Sequence, residues 1–320
     1  MADPNTVFLD GAFLPRSDAR VSAFDAGFQH AVGLFETMLA VPGPDGSGGP
    51  EIVRLEWHTE RLRQSAMELG LADSLETRAL GEAAVETVRQ SGLCDHGSHA
   101  RVRLSVTGGD LNLLQSQGQS QHRPTVLIQA QPATTYPDEM FEKGVRVAIA
   151  QSRANPFNPT EGHKTPNYWW RLRELQAAAA VGAAEALVFQ ISNHLAGGCV
   201  SNCFVVKDGT VITPIARGEE VEVARAAGDT NAEPKAVLPS PVLPGVTRRW
   251  VLECCEDEKV PVERRMVTID DVLDADEVFL TNSSWGVLPV VGVGESQIGG
   301  GKAGERAWSI REAWLSSLEP

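Results

Sequence analysis

The chain has 320 residues, of which 42% are hydrophobic, and a formal net charge of −14, a profile typical of a globular protein with about two domains. The negative charge argues against a nucleic-acid-binding protein, which needs a basic face. No apolar run approaches the roughly 20 residues of a membrane span, and the N-terminus lacks the features of a signal peptide. Five cysteines without framework spacing favour reduced thiols and a cytoplasmic location. The cluster of Cys94, His96 and His99 has no second group of ligands, so it predicts a surface loop and no metal site.

The first part of the chain predicts an α+β domain. Asp10-Gly11, set between two apolar runs, indicates a β-hairpin. Apolar residues recur every three or four positions over 55–69 and 75–91, which predicts two amphipathic helices. Alternating apolar residues then predict strands at 101–106 and 124–131.

Arg61 lies beside the apolar stripe of the first of these helices, at the edge of its buried face. The position fits either an exposed arginine or a partly buried guanidinium, whose fork suits a phosphate group. The segment Phe35-Glu36-Thr37, further upstream, opens a predicted strand.

A polar, proline-bounded and unperiodic stretch interrupts these elements. We place the interdomain linker at residues 132–136, between a smaller domain of residues 1–131 and a larger domain of residues 137–320. The second domain predicts a strand at 145–150 and a helix at 168–181.

Later segments suggest an anion site. Gly245-Val246-Thr247 directly precedes a predicted helix, so their amides are placed to face an anion, although ordinary helix starts look the same. Ser283 and Ser284 lie in a small polar turn between two strands, where simple turn chemistry is the alternative. Residues 216–236 are polar, lack large apolar side chains and predict a mobile insertion.

Lys164 is the candidate nucleophile. Most lysines are solvated surface charges, but this one is followed closely by Tyr168, Trp169 and Trp170. An apolar wall formed by the tryptophans would disfavour the charged form and lower the lysine pKa, as in Schiff-base lysines. The hypothesis requires a phosphate site and a substrate site elsewhere in the chain.

Taken together, eight blocks in a fixed order identify a resemblance. The chain resembles the class IV aminotransferases, the fold-type IV pyridoxal 5′-phosphate (PLP) enzymes, from about residue 8 to 318, with the main break at 216–236. The blocks are FLDGAFLP, FDAGFQHAVGLFET, HTERLRQSA, HKTPN, EALVFQISNHLAGGCVSN, VKDGTVITP, LPGVTRR and ADEVFLTNSSWGVLPV. The resemblance implies an α+β fold with a small N-terminal α/β domain, a larger C-terminal domain built on a barrel-like sheet, PLP in the cleft between them, and a homodimer.

The same resemblance assigns residues to the cofactor. Lys164 matches the lysine that forms the internal aldimine with PLP and later shuttles the proton. Arg61 matches the arginine that grips the cofactor phosphate, and Val246 and Thr247 match the residues whose amides hold it. Ser283 matches a hydroxyl or amide donor to the same phosphate.

Further matches concern the ring and the substrate. Tyr168 lies near the position of the family's ring-contacting tyrosine, and Phe35 matches an aromatic residue that lines the pocket. Ser283 and Ser284 also match backbone donors to a substrate carboxylate.

One departure from the family lies in the cofactor-binding block LAGGCVSN. Its Gly197 stands where the family usually has a glutamate, while Gly198 and Asn202 align without a gap. That glutamate keeps the pyridine nitrogen protonated, so that the ring can act as an electron sink. Its loss is expected to cost about 1.5–3 kcal/mol, or roughly one to two decades in rate, unless another group replaces it or the chemistry needs less protonation of the ring.

These features favour a PLP-dependent aminotransferase that acts on a small amino acid and a 2-oxo acid. Aminodeoxychorismate lyase is the alternative, supported by the block TNSSWGVLPV and by Cys199. The spacing of three residues from Lys164 to Asn167 also fits the lyase and D-amino acid branches better than the branched-chain branch. A low-activity PLP-binding paralogue is a third possibility, because of Gly197. The D-amino acid branch is disfavoured, since RLSVTGGDLNLL lacks that branch's Arg-x-His pair.

Overall fold

The computed structural model describes residues 6–43, 49–94, 98–110, 123–230, 232–233 and 237–318. The chain divides into two compact units. The first contains the described residues up to Thr135, together with His163–Asn167 and Leu318. The second contains Tyr136–Gly162 and Tyr168–Ser317. The return of the chain to the first unit at His163 has no counterpart in the sequence patterns.

The first unit is an antiparallel sheet with two long helices. Its elements are β1 (Thr6–Leu9), β2 (Ala12–Pro15), α1 (Ala26–His30), β3 (Gly33–Pro42), β4 (Pro50–Ile52), α2 (Leu55–Glu68), α3 (Thr77–Gln90), β5 (Ala100–Thr107) and β6 (Thr125–Pro132). The six strands follow the order β2-β1-β6-β5-β3-β4. Alternate residues of β5, such as Val102 and Leu104, are fully buried with Leu62 and Ala66 of α2, so period-two and period-3.6 apolar patterns share one core.

The hairpin between β1 and β2 confirms the expected turn. Leu9 pairs with Ala12, which leaves Asp10 and Gly11 as the two loop residues. Both have positive φ angles, of 49° and 98°, as two-residue hairpin turns of this hand require. The helix and strand expectations for this unit are also confirmed within a few residues, whereas the short helix α1 was not expected.

The second unit is built on a larger mixed sheet. Its elements are α4 (Asp138–Glu142), β7 (Val145–Ala154), α5 (Trp169–Ala180), β8 (Glu185–Gln190), β9 (Leu195–Gly198), β10 (Asn202–Lys207), β11 (Thr210–Thr213), α6 (Glu220–Ala226), α7 (Val246–Asp257), β12 (Val262–Arg264), α8 (Ile269–Leu273), β13 (Glu277–Asn282), β14 (Gly286–Val293), β15 (Ser296–Gln297) and α9 (Glu305–Ser316). The strand order is β12-β11-β10-β13-β14-β7-β8-β9, with β15 on β14, and the sheet forms a half-barrel. The fold expectation, α+β with a barrel-like sheet in the larger part, is confirmed.

Two observations on the described residues concern membrane-spanning helices and metal-ligand clusters. Within the described ranges, every helix is too short or too polar to cross a lipid bilayer. Those ranges also contain no group of three His, Cys, Asp or Glu side chains that is arranged to hold a metal ion. His96, from the cluster considered above, lies outside the described residues.

The insertion at residues 216–236 is not simply the mobile segment that its composition predicts. Its described part contains α6, preceded by Glu219. The Glu219 carboxylate receives two 2.7 Å hydrogen bonds from Nη1 and Nη2 of Arg248, whose side chain is 2% exposed. The polar composition does not reveal this anchor, because an ion pair with a buried arginine needs no large apolar side chain.

Glu219→Gln is therefore expected to destabilise the protein by about 3 kcal/mol, because Arg248 would remain buried without a counter-charge. Chemical denaturation of the variant measures this loss. Glu222→Gln is the matched control, since Glu222 pairs with Arg264 at the surface and its pair is worth less than about 1 kcal/mol. Equal stabilities of the two variants would show that Glu219 does not anchor the insertion.

Candidate active site

In the first unit, residues His163–Asn167 are fixed to both the sheet and a helix. The backbone N–H of Phe35 in β3 donates to the carbonyl of Lys164 at 2.9 Å. The His163 ring nitrogen Nδ1 lies 2.9 Å from the Ser65 hydroxyl of α2. Lys164 is thus held from its own backbone and from its neighbour, and its position does not depend on the flexible lysine side chain alone.

The Lys164 side chain lies beside an aromatic ring. Its Nζ is 4.8 Å from the ring centroid of Phe35, a residue that is 6% exposed. Trp169 is 77% exposed and Trp170 is half-buried, and both belong to the second unit, so the apolar wall expected from them stays a prediction. Among the described residues of the first unit, Phe35 is an aromatic neighbour of Lys164.

Arg103 is a candidate site residue that the sequence patterns missed. Its guanidinium carbon lies 3.7 Å from the centroid of the Phe35 ring. In the β3–β5 register Phe35 pairs with Ser105 and Thr37 pairs with Arg103, so Phe35 and Arg103 are diagonal neighbours on one face. Only the register reveals this contact, since the alternation of β5 shows only that Arg103 points away from the core.

Arg61 is half-buried, with a side chain that is 10% exposed, and its guanidinium already faces a carboxylate. Its Nε donates to Glu36 Oε1 at 2.9 Å and its Nη2 donates to Glu36 Oε2. His58 Nδ1 lies 2.7 Å from the same Oε2. Burial acts to raise the pKa of Glu36, but the Arg61 charge and the His58 hydrogen bond outweigh it and lower that pKa to about 2.

In the second unit, a buried carboxylate organises the turn at residues 197–202, the Gly-rich turn. Glu185 of β8 is fully buried and accepts hydrogen bonds from the backbone amides of Cys199 and Val200, at 3.1 and 3.2 Å, and from the Ser201 hydroxyl. Burial raises the pKa of Glu185, although these bonds oppose the rise. The guanidinium of Arg171 donates to the Cys199 carbonyl at 3.2 Å, so the turn is held from both its amides and its carbonyls.

Gly197 occupies a backbone conformation that excludes most side chains. Its φ is +142°, and a Cβ atom at this position would lie 2.8 Å from the carbonyl oxygen of Ser201. Gly198 is also confined, because a Cβ there would lie 2.9 Å from Glu185 Oε2. The departure from the family's glutamate therefore accompanies a turn built for glycine.

Asn202 joins this turn to the start of α7. Its side-chain amide donates to the carbonyl of Leu243 at 2.9 Å, and its Oδ1 would lie 1.9 Å from a Cβ on Gly245. Gly245 caps α7 without a side-chain hydrogen bond. The next residues, Val246 and Thr247, are buried, and the hydroxyl of Thr247 has no hydrogen-bond partner among the described residues. An uncapped helix start with an orphaned buried hydroxyl fits an anion.

The turn after β13 lies next to the same segments. Asn282 donates through its side-chain amide to the Val200 carbonyl at 3.3 Å. The Asn282 side-chain oxygen in turn accepts the backbone N–H of Ser284 at 2.9 Å. The resemblance matches this Ser284 amide to a substrate carboxylate, and here the amide donates within its own turn, so the substrate role stays a prediction. Ser283 lies half-buried in the same turn.

Tyr168 stands at the start of α5, in the second unit. It is the N-terminal cap residue of that helix and is half-buried. Its ring centroid lies 5.9 Å from the guanidinium carbon of Arg171, the residue that also contacts the Gly-rich turn. Tyr168 is thereby placed near the elements of the second unit that carry Gly197 and Gly198.

Comparison with known proteins gives the family. Residues 33–293 match the family described as amino-transferase class IV. A putative branched-chain-amino-acid aminotransferase of Methanocaldococcus jannaschii is 28% identical over 96% of this chain and 94% of its own. Aminodeoxychorismate lyase of Bacillus subtilis is 24% identical over 98% of this chain and 94% of its own.

Solved structures give the same result. The branched-chain amino acid aminotransferase of Escherichia coli superposes with a TM-score of 0.83, at 23% identity, over 100% of this chain and 95% of its own, which supports the fold. The corresponding T.th. enzyme, solved with pyridoxamine 5′-phosphate, gives 0.82 at 25% identity over 98% and 94%. The 4-amino-4-deoxychorismate lyase of Pseudomonas aeruginosa gives 0.75 at 25% identity over 98% and 100%. The chain is therefore an enzyme of the class IV aminotransferase family, whose members depend on pyridoxal 5′-phosphate.

Proposed function

We propose that this enzyme transfers an amino group between a small amino acid and a 2-oxo acid. The observation that carries the proposal is the placement of Lys164, whose backbone is bonded to β3 and whose Nζ lies 4.8 Å from the Phe35 ring. Arg103 lies against the same ring, so an amine and a guanidinium stand at one aromatic residue. The lysine amine suits the aldehyde of a cofactor such as PLP, and the guanidinium suits a substrate carboxylate.

Four residues of the first unit have proposed roles in the reaction, namely Lys164, Phe35, Arg103 and Arg61. When bound, PLP supplies an electron sink for the charge that develops on the α-carbon of the substrate. The Lys164 amine holds the cofactor in the resting enzyme, and then removes the α-proton and returns it. Phe35 provides an apolar wall that excludes water beside that amine. Arg103 binds a substrate carboxylate, and Arg61 binds the cofactor phosphate.

The second unit supplies further proposed cofactor contacts. The amides of Val246 and Thr247 and the orphaned Thr247 hydroxyl are suited to the phosphate, as is Ser283. Tyr168 contacts the pyridine ring of PLP. Gly198 and Asn202 shape the turn that carries Gly197. Ser284 is proposed to face the substrate carboxylate, and its amide would have to exchange its bond to Asn282 for that contact.

We further propose branched-chain amino acids as donors and 2-oxoglutarate as acceptor. The support is that several full-length relatives are branched-chain aminotransferases. The T.th. aminotransferase, at 25% identity, was also solved with N-(5′-phosphopyridoxyl)-L-glutamate. Arg103 suits the second carboxylate of such an acceptor, since arginine pairs with carboxylates in a two-point geometry.

Aminodeoxychorismate lyase is the second candidate, in which pyruvate is eliminated to give p-aminobenzoate. It is favoured by the B. subtilis relative and by Cys199, which lies in the turn beside Gly198 and is 1% exposed. Burial, followed by the Glu185 charge, raises the pKa of the Cys199 thiol to about 12, so the residue stays protonated and acts by its shape and polarity.

The two candidates are separated by their products. The purified enzyme with PLP is incubated with leucine, isoleucine or valine plus 2-oxoglutarate, and separately with aminodeoxychorismate. Glutamate formation that depends on both the donor and the acceptor is expected. Pyruvate released from aminodeoxychorismate without any amino acceptor would replace the aminotransferase assignment with the lyase. Bound PLP without either turnover would support a low-activity paralogue.

We also propose that the enzyme is a cytoplasmic homodimer. The support is the family resemblance for the dimer, and the acidic chain with unpatterned cysteines for the compartment. Light scattering of the purified protein is expected to give twice the chain mass of 34.4 kDa. A mass of one chain at micromolar concentration would refute the dimer.

A further inference from the structure

We infer that Glu36 and His58 are positioning residues that fix the guanidinium of Arg61 for the cofactor phosphate. This inference rests on the proposed function, since it assigns a task toward PLP. Neither residue belongs to the site that the sequence predicted. Both are buried in the first unit, where each is 1% exposed.

The Arg61 guanidinium is held in a fixed orientation by Glu36. Two of its nitrogens, Nε and Nη2, donate to the two oxygens of the same carboxylate, that of Glu36. Because the guanidinium is planar, two parallel bonds fix both its position and its plane. Nη1 takes part in neither bond, and its direction is set by the other two nitrogens. The Arg61 side chain is only 10% exposed, so few alternative rotamers compete in water.

The Glu36 carboxylate is contacted by two residues of α2. Glu36 lies on β3, one residue after Phe35, and therefore projects to the opposite face of the sheet, toward α2. His58 of α2 also contacts the Glu36 carboxylate, because its Nδ1 lies 2.7 Å from Oε2. His58 and Arg61 are three residues apart on the helix, so they meet one carboxylate from adjacent turns.

Glu36, His58 and Arg61 form a cluster whose charges depend on the protonation state of His58. Burial lowers the pKa of His58; the Glu36 contacts oppose this, and the charges of Arg61 and Lys164 add to it. His58 is accordingly neutral and donates its Nδ1–H to Glu36. A neutral donor orients the carboxylate without competing with Arg61 for its charge. Glu36 then offsets one of the cations near the lysine, and the remaining positive charge favours an anionic phosphate.

A comparison of PLP with pyridoxal, which lacks only the phosphate, tests this role. Each aldehyde is titrated into apoprotein and binding is followed by absorbance. For Glu36→Gln and His58→Gln, we expect the Kd for PLP to rise by about 10–100-fold, as for other positioning residues. The Kd for pyridoxal is expected to stay within about twofold, since the lysine and ring contacts remain.

Two further variants calibrate the measurement. Arg61→Ala should lose the preference for PLP over pyridoxal to at least the same degree. Glu60→Gln is the matched control, because Glu60 pairs with Arg63 on the exposed side of the same helix. It should leave both dissociation constants unchanged.

The outcomes are distinct. A parallel loss of PLP and pyridoxal affinity would overturn the inference and leave Glu36 and His58 with a structural role only, and an unchanged Kd for PLP would overturn it as well. If Glu36→Gln does not fold, as judged by thermal unfolding of the apoprotein, His58→Gln decides by the same criterion. A wild-type protein that binds neither aldehyde would instead refute the proposed function.

Discussion

Replacement of Lys164 by alanine is expected to reduce turnover by at least about 10³-fold while the protein remains folded. The loss follows because no other described side chain of the first unit places an amine beside Phe35. Stability should change by less than about 1 kcal/mol, since the side chain is only half-buried and its cation–π contact is weak. The measurements are single-turnover rates, thermal unfolding and the yellow colour of the PLP-bound protein, which should disappear.

Lys164→Arg separates charge from chemistry. Arginine retains the cation beside Phe35 but is protonated at every accessible pH, so it cannot take the α-proton. Its turnover should fall as far as that of the alanine variant. Lys143→Ala is the surface control, because Lys143, the cap residue of α4, is exposed and pairs with Glu139 of that helix. Turnover of Lys164→Ala within tenfold of the wild type would remove Lys164 from the chemistry.

Elements with strong local patterns were predictable from the sequence. The hairpin at Asp10-Gly11 and the helix that became α2 depend on turn chemistry and on a single apolar stripe. The capping box at α8 is equally local, since Thr268 and Asp271 satisfy each other's backbone amides. In each case the residues that determine the element are its own sequence neighbours.

Features that depend on register or on pairing could not be predicted in this way. Arg103 reaches Phe35 only because β5 pairs with β3 in one particular register. Arg61 faces Glu36 although 25 residues separate them, and no local pattern in the sequence pairs the two residues. The capture of the Ser284 amide by Asn282 depends on the turn conformation, which a run of small polar residues leaves open.

The resemblance to the family named the lysine and the phosphate residues, but the structure adds the support behind them. Glu36 accepts a hydrogen bond from Arg61 and is itself contacted by His58, and Glu185 accepts a backbone amide of the Gly-rich turn. These are buried polar groups in strands and helices whose apolar patterns are otherwise regular. Within such a pattern, a polar residue at a core position is the signal that would have identified them.

Installing the family's carboxylate, by Gly197→Glu, is expected to destabilise this protein by about 3 kcal/mol and not to raise its activity. The φ of +142° is unfavourable for any residue with a side chain. The new Cβ would also lie 2.8 Å from the Ser201 carbonyl, in a turn that Glu185 and Arg171 hold in place. The turn must therefore shift before the carboxylate can be accommodated, and such a shift disturbs Asn202 and the adjoining start of α7.

Two alanine variants separate the causes of that loss. Gly197→Ala combines the backbone strain with the contact to Ser201, without adding a charge. Gly209→Ala measures strain alone, at about 1–2 kcal/mol, because Gly209 has a φ of +77° and open space around its Cβ position. We expect Gly197→Ala to account for most of the destabilisation caused by Gly197→Glu. A folded Gly197→Glu variant that is one to two decades faster than the wild type would contradict this prediction, because the turn would then accept the carboxylate and the glycine would be the reason for a slow enzyme.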